Sequence, residues 1–266
     1  MTKLSKKFNY LRPLNACRLT RLGNNKDGGY VVSNLALKKS DTLLSFGLGD
    51  NFTFEKDFLS STKGTKIFIY DHTVHYFSFL KKIYKTFKRV FYFKANFFDV
   101  INRVLNLINY FTFFKINDAR HIKLEVVSKI SKPYQTNLKN IFNIIPSRNI
   151  ILSIDIEGGE YQIIKDLVKF EDRINLLVIE FHNTFILRKN FKKLILLLKT
   201  FFNIIHLHGN NHESIARDGL PTVLELTFLN KKKFFINKKN FKKNFPIDKL
   251  DFPNVPSLKD YKINFH

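Results

Sequence analysis

Asn149-Ile150-Ile151-Leu152-Ser153-Ile154-Asp155-Ile156-Glu157-Gly158-Gly159-Glu160-Tyr161 sets an apolar run against a tight group of acids and glycines. The run is rich in β-branched residues and ends in Asp155, so it reads as a buried strand with carboxylates just past its carboxyl end. Two glycines then release the chain, and a helical pattern follows over 159–169. The same form recurs on either side. Lys66 to Asp71 and Ile174 to Glu180 are apolar runs that end in an acid, and Thr42 to Gly47 is one that ends in glycine. Phe202 to His208 and Thr222 to Leu229 close the series, with helical patterns near 53–61, 74–86, 134–145 and 188–201. Strands separated by helices imply βαβ units and a mainly parallel sheet. Strands this apolar are covered on both faces. No helix separates the last two runs, which predicts an antiparallel final hairpin. A third strand is expected within 87–130, as Arg89 to Lys94 or Ile122 to Ser128, and the helical piece 97–113 reads as an insertion on the substrate side.

At 266 residues the chain holds one α/β domain over 1–266 and too little for a second. Its formal charge is +23. Such an excess ordinarily suggests a polyanionic partner. Here it is diffuse and led by lysine, beside heavy use of Phe, Ile and Asn, which favours drift of an AT-rich genome over dedicated nucleic-acid binding. The densest run, Asn230 to Lys243, opens a basic C-terminal tail over 230–266. One cysteine, Cys17, excludes a disulfide framework and a paired-cysteine zinc site. The N-terminus lacks the apolar core of a signal peptide. Phe97 to Phe114 is broken by Asp99 and Arg103, so no membrane span is expected, and a cytoplasmic protein fits.

Phe46-Gly47-Leu48-Gly49-Asp50 follows a strand and precedes a helix, where glycines let the backbone approach a ligand. Asp71 ends the next strand about twenty residues on, the place of an acid that accepts ribose hydroxyls. Phe52 stands where the dinucleotide fingerprint needs its third glycine. That disfavours an oxidoreductase and favours an adenosine ligand without a pyrophosphate, such as S-adenosylmethionine. Asp155 and Glu157 fall at the sheet edge where open α/β folds hold ligands, although either could simply cap the next helix. Glu180-Phe181-His182-Asn183 and His206-Leu207-His208 end the following strands, and alternation puts Glu180 with His182 and His206 with His208 on shared sides. His182 or His208 would serve as a general base for an acceptor hydroxyl. A divalent cation held by Asp155, Glu180 and a histidine is the second choice, and no metal ligands are assigned.

Asp155-Ile156-Glu157-Gly158-Gly159-Glu160 resembles the D-[IV]-E-G-x-E motif of the FkbM-type methyltransferases. Arg21-Leu22-Gly23 with Asp27-Gly28-Gly29-Tyr30, and Ser45 to Asp50 with Phe54-Glu55, resemble the opening and glycine loop of a subgroup of that family. The resemblance runs with gaps from about 20 to 229. It implies a Rossmann-like class I methyltransferase fold with a mainly parallel seven-stranded sheet. It also implies methyl transfer to oxygen on a small molecule or glycan precursor, in a bacterial setting. The N-terminal segment 1–40 would fold over the donor, with Asp27 and Tyr30 joining Gly47, Gly49, Asp50, Asp71 and Glu157 in binding it. The catalytic group would be His182, His208 and Asp155. Asp71-His72-Thr73 departs from the E-P-N or D-P-T turn of many relatives. The rival from another class is a nucleic-acid-binding protein, or a nucleic-acid methyltransferase that uses the basic surface.

Overall fold

The computed structural model describes residues 4–15, 17–49, 51–236 and 240–265. An antiparallel hairpin of β1 (Leu19–Leu22) and β2 (Tyr30–Ser33) comes first, and α1 (Asn34–Lys39) leads to β3 (Thr42–Phe46). Then follow α2 (Thr53–Ser61), β4 (Lys66–Tyr70), the helices α3 (Tyr76–Phe91) and α4 (Phe97–Ile116), and β5 (Ala119–Ile122). Two short parallel strands, β6 (Glu125–Val126) and β7 (Gln135–Thr136), precede α5 (Leu138–Ile144). The second half is β8 (Ile150–Ile154), α6 (Glu160–Leu167), β9 (Ile174–Phe181), α7 (Arg188–Phe201), β10 (Phe202–Gly209) and β11 (Leu224–Asn230). A small pair, β12 (Asn244–Phe245) with β13 (Ile263–Asn264), ends the chain's regular structure.

Seven strands form one sheet in the order β10-β11-β9-β8-β3-β4-β5. All neighbours run parallel except β11, which is antiparallel to both β9 and β10. This is a Rossmann-like, mainly parallel seven-stranded sheet with the antiparallel final hairpin that the sequence pattern predicts. Alternate residues feed opposite faces. Leu44 and Leu152 join the core under one side, while Leu43 and Ile151 join the core under the other, all fully buried. Each such side chain contributes about 1.5–3 kcal/mol of burial.

Three expectations need correction. The third strand is Ala119–Ile122, and neither 89–94 nor 122–128. Arg89 lies in the last turn of α3, and Phe93 turns the chain with a left-handed φ of 54°. The helix expected over 134–145 starts only at Leu138, because Gln135 and Thr136 pair with β6 and Asn137 caps α5 by accepting from Asn140 N. The C-terminal stretch, where described, is no free tail. Lys242 N donates to Pro13 O and Leu4 N to Asn264 O, at 3.0 and 2.8 Å, so the described N-terminal and C-terminal stretches pack together. Residues 237–239 of the basic run lie outside the described residues.

Candidate active site

The strand order reverses at β3, which passes to β4 on one side and borders β8 on the other. Crossovers diverge at such a switch point and leave a crevice at the carboxyl ends of the strands. A cleft of about 370 Å³ lies there. Gly47 is essential to its floor. Its φ is +87°, and a Cβ would sit 1.8 Å from the Asp155 carbonyl oxygen. Its N–H donates to Tyr70 O while Asp155 N donates to Phe46 O, at 3.0 and 2.8 Å, tying three strand ends together. Gly49, also left-handed, lines the same cleft, whereas Asp50 lies outside the described residues.

Asp71 borders the cleft but is engaged otherwise than expected. Its Oδ2 accepts from Leu48 N and Gly49 N, and its Oδ1 from Thr73 N, Thr73 Oγ1 and Val74 N. Burial would raise its pKa, but the Thr73 hydroxyl and the backbone donors of Leu48, Thr73 and Gly49 hold it below the ordinary value. Five donors fill the roughly four lone-pair sites of a carboxylate. Asp71 therefore clamps the glycine loop and keeps no free site for a ribose hydroxyl.

The acid motif divides its labour. Glu160 is fully buried and ties the glycine turn to the end of β9: Oε2 accepts from Gly158 N and Oε1 from His182 N, both at 2.8 Å, while no side chain caps α6. Glu157 turns the chain at φ 51° and projects into solvent at the mouth. Asp155 faces the cleft, its side chain 36% exposed. Tyr30 Oη lies 3.3 Å from Asp155 Oδ2 and 3.4 Å from Glu180 Oε2. Burial pushes the Asp155 carboxyl up to about 7, opposed by His182 and reinforced by Glu157 and Asp27.

His182 stands among these acids. Its Nε2 lies 3.3 Å from Glu157, 3.7 Å from Asp155 and 3.9 Å from Glu180, and its Nδ1 lies 3.4 Å from Glu160. Burial would lower its pKa, but the hydrogen bond and charge of Glu160 and the charges of Asp155 and Glu157 raise it. Glu180 and His182 do share a side, as alternation requires.

His208 does not reach the cleft. It is 2% exposed, with Nδ1 3.2 Å from Glu225 and Nε2 3.1 Å from Asp260. Burial would lower its pKa, yet the Glu225 charge and the hydrogen bonds to Asp260 and Glu225 hold it well above the ordinary value. Both nitrogens are occupied, so His208 is no base for a substrate. His206 meets Asp251 in the same way, at 2.9 Å. Together they fasten the C-terminal stretch to the sheet edge.

Six carboxylates line the cleft: Asp27, Glu55, Asp71, Glu125, Asp155 and Glu157; its described lining holds no lysine or arginine. Glu55 carries no signal in the sequence beyond its part in the resemblance at Phe54-Glu55. It is buried, accepts from Ser45 Oγ at 2.9 Å, and burial pushes its carboxyl up to about 7. Leu124 and Val126, from the stretch after β5, supply an apolar wall. The sequence pattern does not mark them, because the polar, four-residue β5 that positions them carries no strand period.

No protein-family model matches the sequence, and no curated protein matches it. Among solved structures, the chain is similar to the Methanococcus jannaschii fibrillarin pre-rRNA processing protein, at 10% identity and a TM-score of 0.39, covering 73% of this chain and 68% of that one. It is similar to Streptococcus pneumoniae Sp1610 in complex with S-adenosyl-L-methionine, at 9% identity and 0.37, covering 74% and 69%. It is also similar to precorrin-6y C5,15-methyltransferase from Geobacter metallireducens, at 10% identity and 0.38, covering 74% and 84%.

Proposed function

We propose that the cleft binds S-adenosylmethionine and that the chain passes its methyl group to a hydroxyl oxygen of a small molecule or glycan precursor. The charge of the cleft carries this reading. Six carboxylates line it on a chain of formal charge +23. Carboxylates gathered around a cleft favour a cationic ligand and repel phosphate. The donor carries a sulfonium, an ammonium and one carboxylate, a net positive charge without phosphate, whereas a dinucleotide carries two phosphates. Gly47 and Gly49 let the donor approach the backbone, Leu124 and Val126 offer the purine an apolar wall, and Asp27, Tyr30 and Glu157 border the rest. Asp71 serves the donor through the loop it clamps.

When bound, S-adenosylmethionine supplies a methyl group on an electron-poor sulfur. The chain's part is to position the acceptor oxygen and to take its proton. Asp155 suits that task, because a carboxyl near 7 accepts a proton readily at neutral pH. His182, whose pKa is raised by Glu160 and the other acids, stands 3.7 Å from Asp155 and orients it. Glycan or small-molecule acceptors follow from the resemblance of the Asp155 motif, and the acidic wall disfavours a polyanionic one. Methyl-labelled donor incubated with a fractionated cell extract tests the substrate class. Label is expected in the glycan or small-molecule fraction; label confined to RNA or DNA overturns it.

A second reading has its own observation. Asp155, Glu157 and His182 each offer one ligand atom, all within 4.8 Å of one another, a donor set that suits Mg²⁺ or Mn²⁺. Chelation would then abolish turnover and either cation restore it, whereas proton transfer to Asp155 alone survives chelation.

A further inference from the structure

The helical hairpin α3–α4 presents an apolar surface that the cleft does not use. On α3 the exposed residues Phe77, Leu80, Tyr84, Phe87 and Phe91 recur at three- and four-residue spacing, so they form one stripe along the helix. On α4 the exposed residues Phe97, Ile101, Val104, Ile108 and Phe111 do the same. Inward-facing residues hold the hairpin together, with Phe79 and Tyr110 rings 4.9 Å apart. Tyr76 and Phe111 rings, 6.2 Å apart, join the two outer stripes at the hairpin's root. At its tip stand Phe91, Tyr92 and Phe93, the last 98% exposed, with Phe97 and Phe98 beside them. Monomeric soluble proteins rarely leave so large a continuous patch in water.

Charge tells what covers it. Residues 76–116 hold eight lysines and arginines against one acid, Asp99. Lys81, Lys85 and Lys88 sit on the exposed side of α3, next to the aromatic stripe. Aromatic and aliphatic residues on one face with cations along its rim are the features of a helix that lies in a lipid interface. An anionic headgroup layer answers the cations and the acyl boundary answers the apolar stripes. Single-stranded RNA would stack on the aromatics, but Ile101, Val104, Leu105 and Ile108 offer a base nothing to stack on. No helix among the described residues is long and apolar enough to cross a membrane, so the hairpin lies on the bilayer and does not span it.

We propose that the α3–α4 hairpin docks the protein on an anionic phospholipid surface. His72 and Thr73, which line the cleft, stand shortly before α3 at the root of the hairpin, so the cleft and the docking face share one segment of chain. The proposal does not depend on what the cleft binds.

Sedimentation of the full chain with vesicles of equal parts phosphatidylglycerol and phosphatidylcholine tests it. Binding is expected there, about tenfold or more weaker on phosphatidylcholine alone, and reduced as salt shortens the screening length. The double substitution Phe87→Ser with Phe91→Ser should lower vesicle binding about tenfold or more while the melting curve stays unchanged. A second variant, Lys81→Glu with Lys88→Glu, should abolish the preference for anionic vesicles. No sedimentation with either vesicle overturns the proposal, as does full binding by the Phe87→Ser/Phe91→Ser chain. A dimer that this double variant dissolves would instead assign the face to a second copy. Single-stranded RNA binding lost in the same variant, without vesicle binding, would assign it to nucleic acid. Either result overturns the lipid assignment.

Discussion

Asp155 shows how one residue takes its chemistry from its surroundings. Burial, helped by the charges of Glu157 and Asp27 and opposed by His182 and the Tyr30 hydroxyl, pushes its carboxyl up to about 7. If it accepts the acceptor's proton, kcat/KM should climb as pH rises through about 7. Asp155→Asn keeps the shape, and should remove that limb and lower turnover by about a hundredfold or more. A variant that keeps the wild-type limb would assign the proton to another group. Glu55 makes a stability prediction with a definite sign. Its folded pKa is raised from 4.5 to about 7 by burial, so the folded state binds the extra proton. Stability is then full below about pH 4.5 and falls as pH rises through 7. Glu55→Gln should therefore raise the stability measured by denaturant at pH 8, by on the order of 3 kcal/mol at most. A variant less stable than wild type at pH 8 would show that the charge is stabilised by something other than Ser45. The Asp155 motif was legible because its acids follow a long apolar run. The burial of Glu55 was not, because it depends on Ser45, a strand residue brought to it by the turn of α2.

Elements tell a different story about legibility. β8 and β9 announce themselves because both faces are covered and every position is buried. β5 is hidden because it is a four-residue edge strand, Ala119-Arg120-His121-Ile122, with a polar middle. The C-terminal stretch was equally hidden. Asp251, Asn254 and Asp260 carry no local period, and their partners His206, Glu225 and His208 lie some thirty to fifty residues away. The lock they form predicts a split between two histidines. His208→Ala leaves the buried Glu225 and the partly buried Asp260 beside an empty space, at a cost of about 3–5 kcal/mol. It should also expose the segment after β12 to proteases. His182→Ala should disturb the cleft and leave that segment closed. Equal protease sensitivity in the two variants would deny the lock. The glycine loop makes the sharpest demand on an element: Gly47→Ala drives a Cβ into the Asp155 carbonyl and must displace the end of β8.

At the scale of the whole molecule, net charge and site charge point opposite ways. The chain is strongly basic, yet its cleft is walled by carboxylates, and composition alone suggests a polyanion where the geometry favours a cation. The mainly parallel sheet with its antiparallel final hairpin was readable from the alternation of strands and helices. The wall of the cleft was not, because it gathers residues from the N-terminal hairpin, the glycine loop, the stretch after β5 and the end of β8. The most direct test is titration calorimetry of the chain with S-adenosylmethionine and with NAD. The acidic cleft predicts micromolar binding of S-adenosylmethionine that weakens in Asp155→Asn, and no heat from NAD. Heat from NAD with none from S-adenosylmethionine would contradict it.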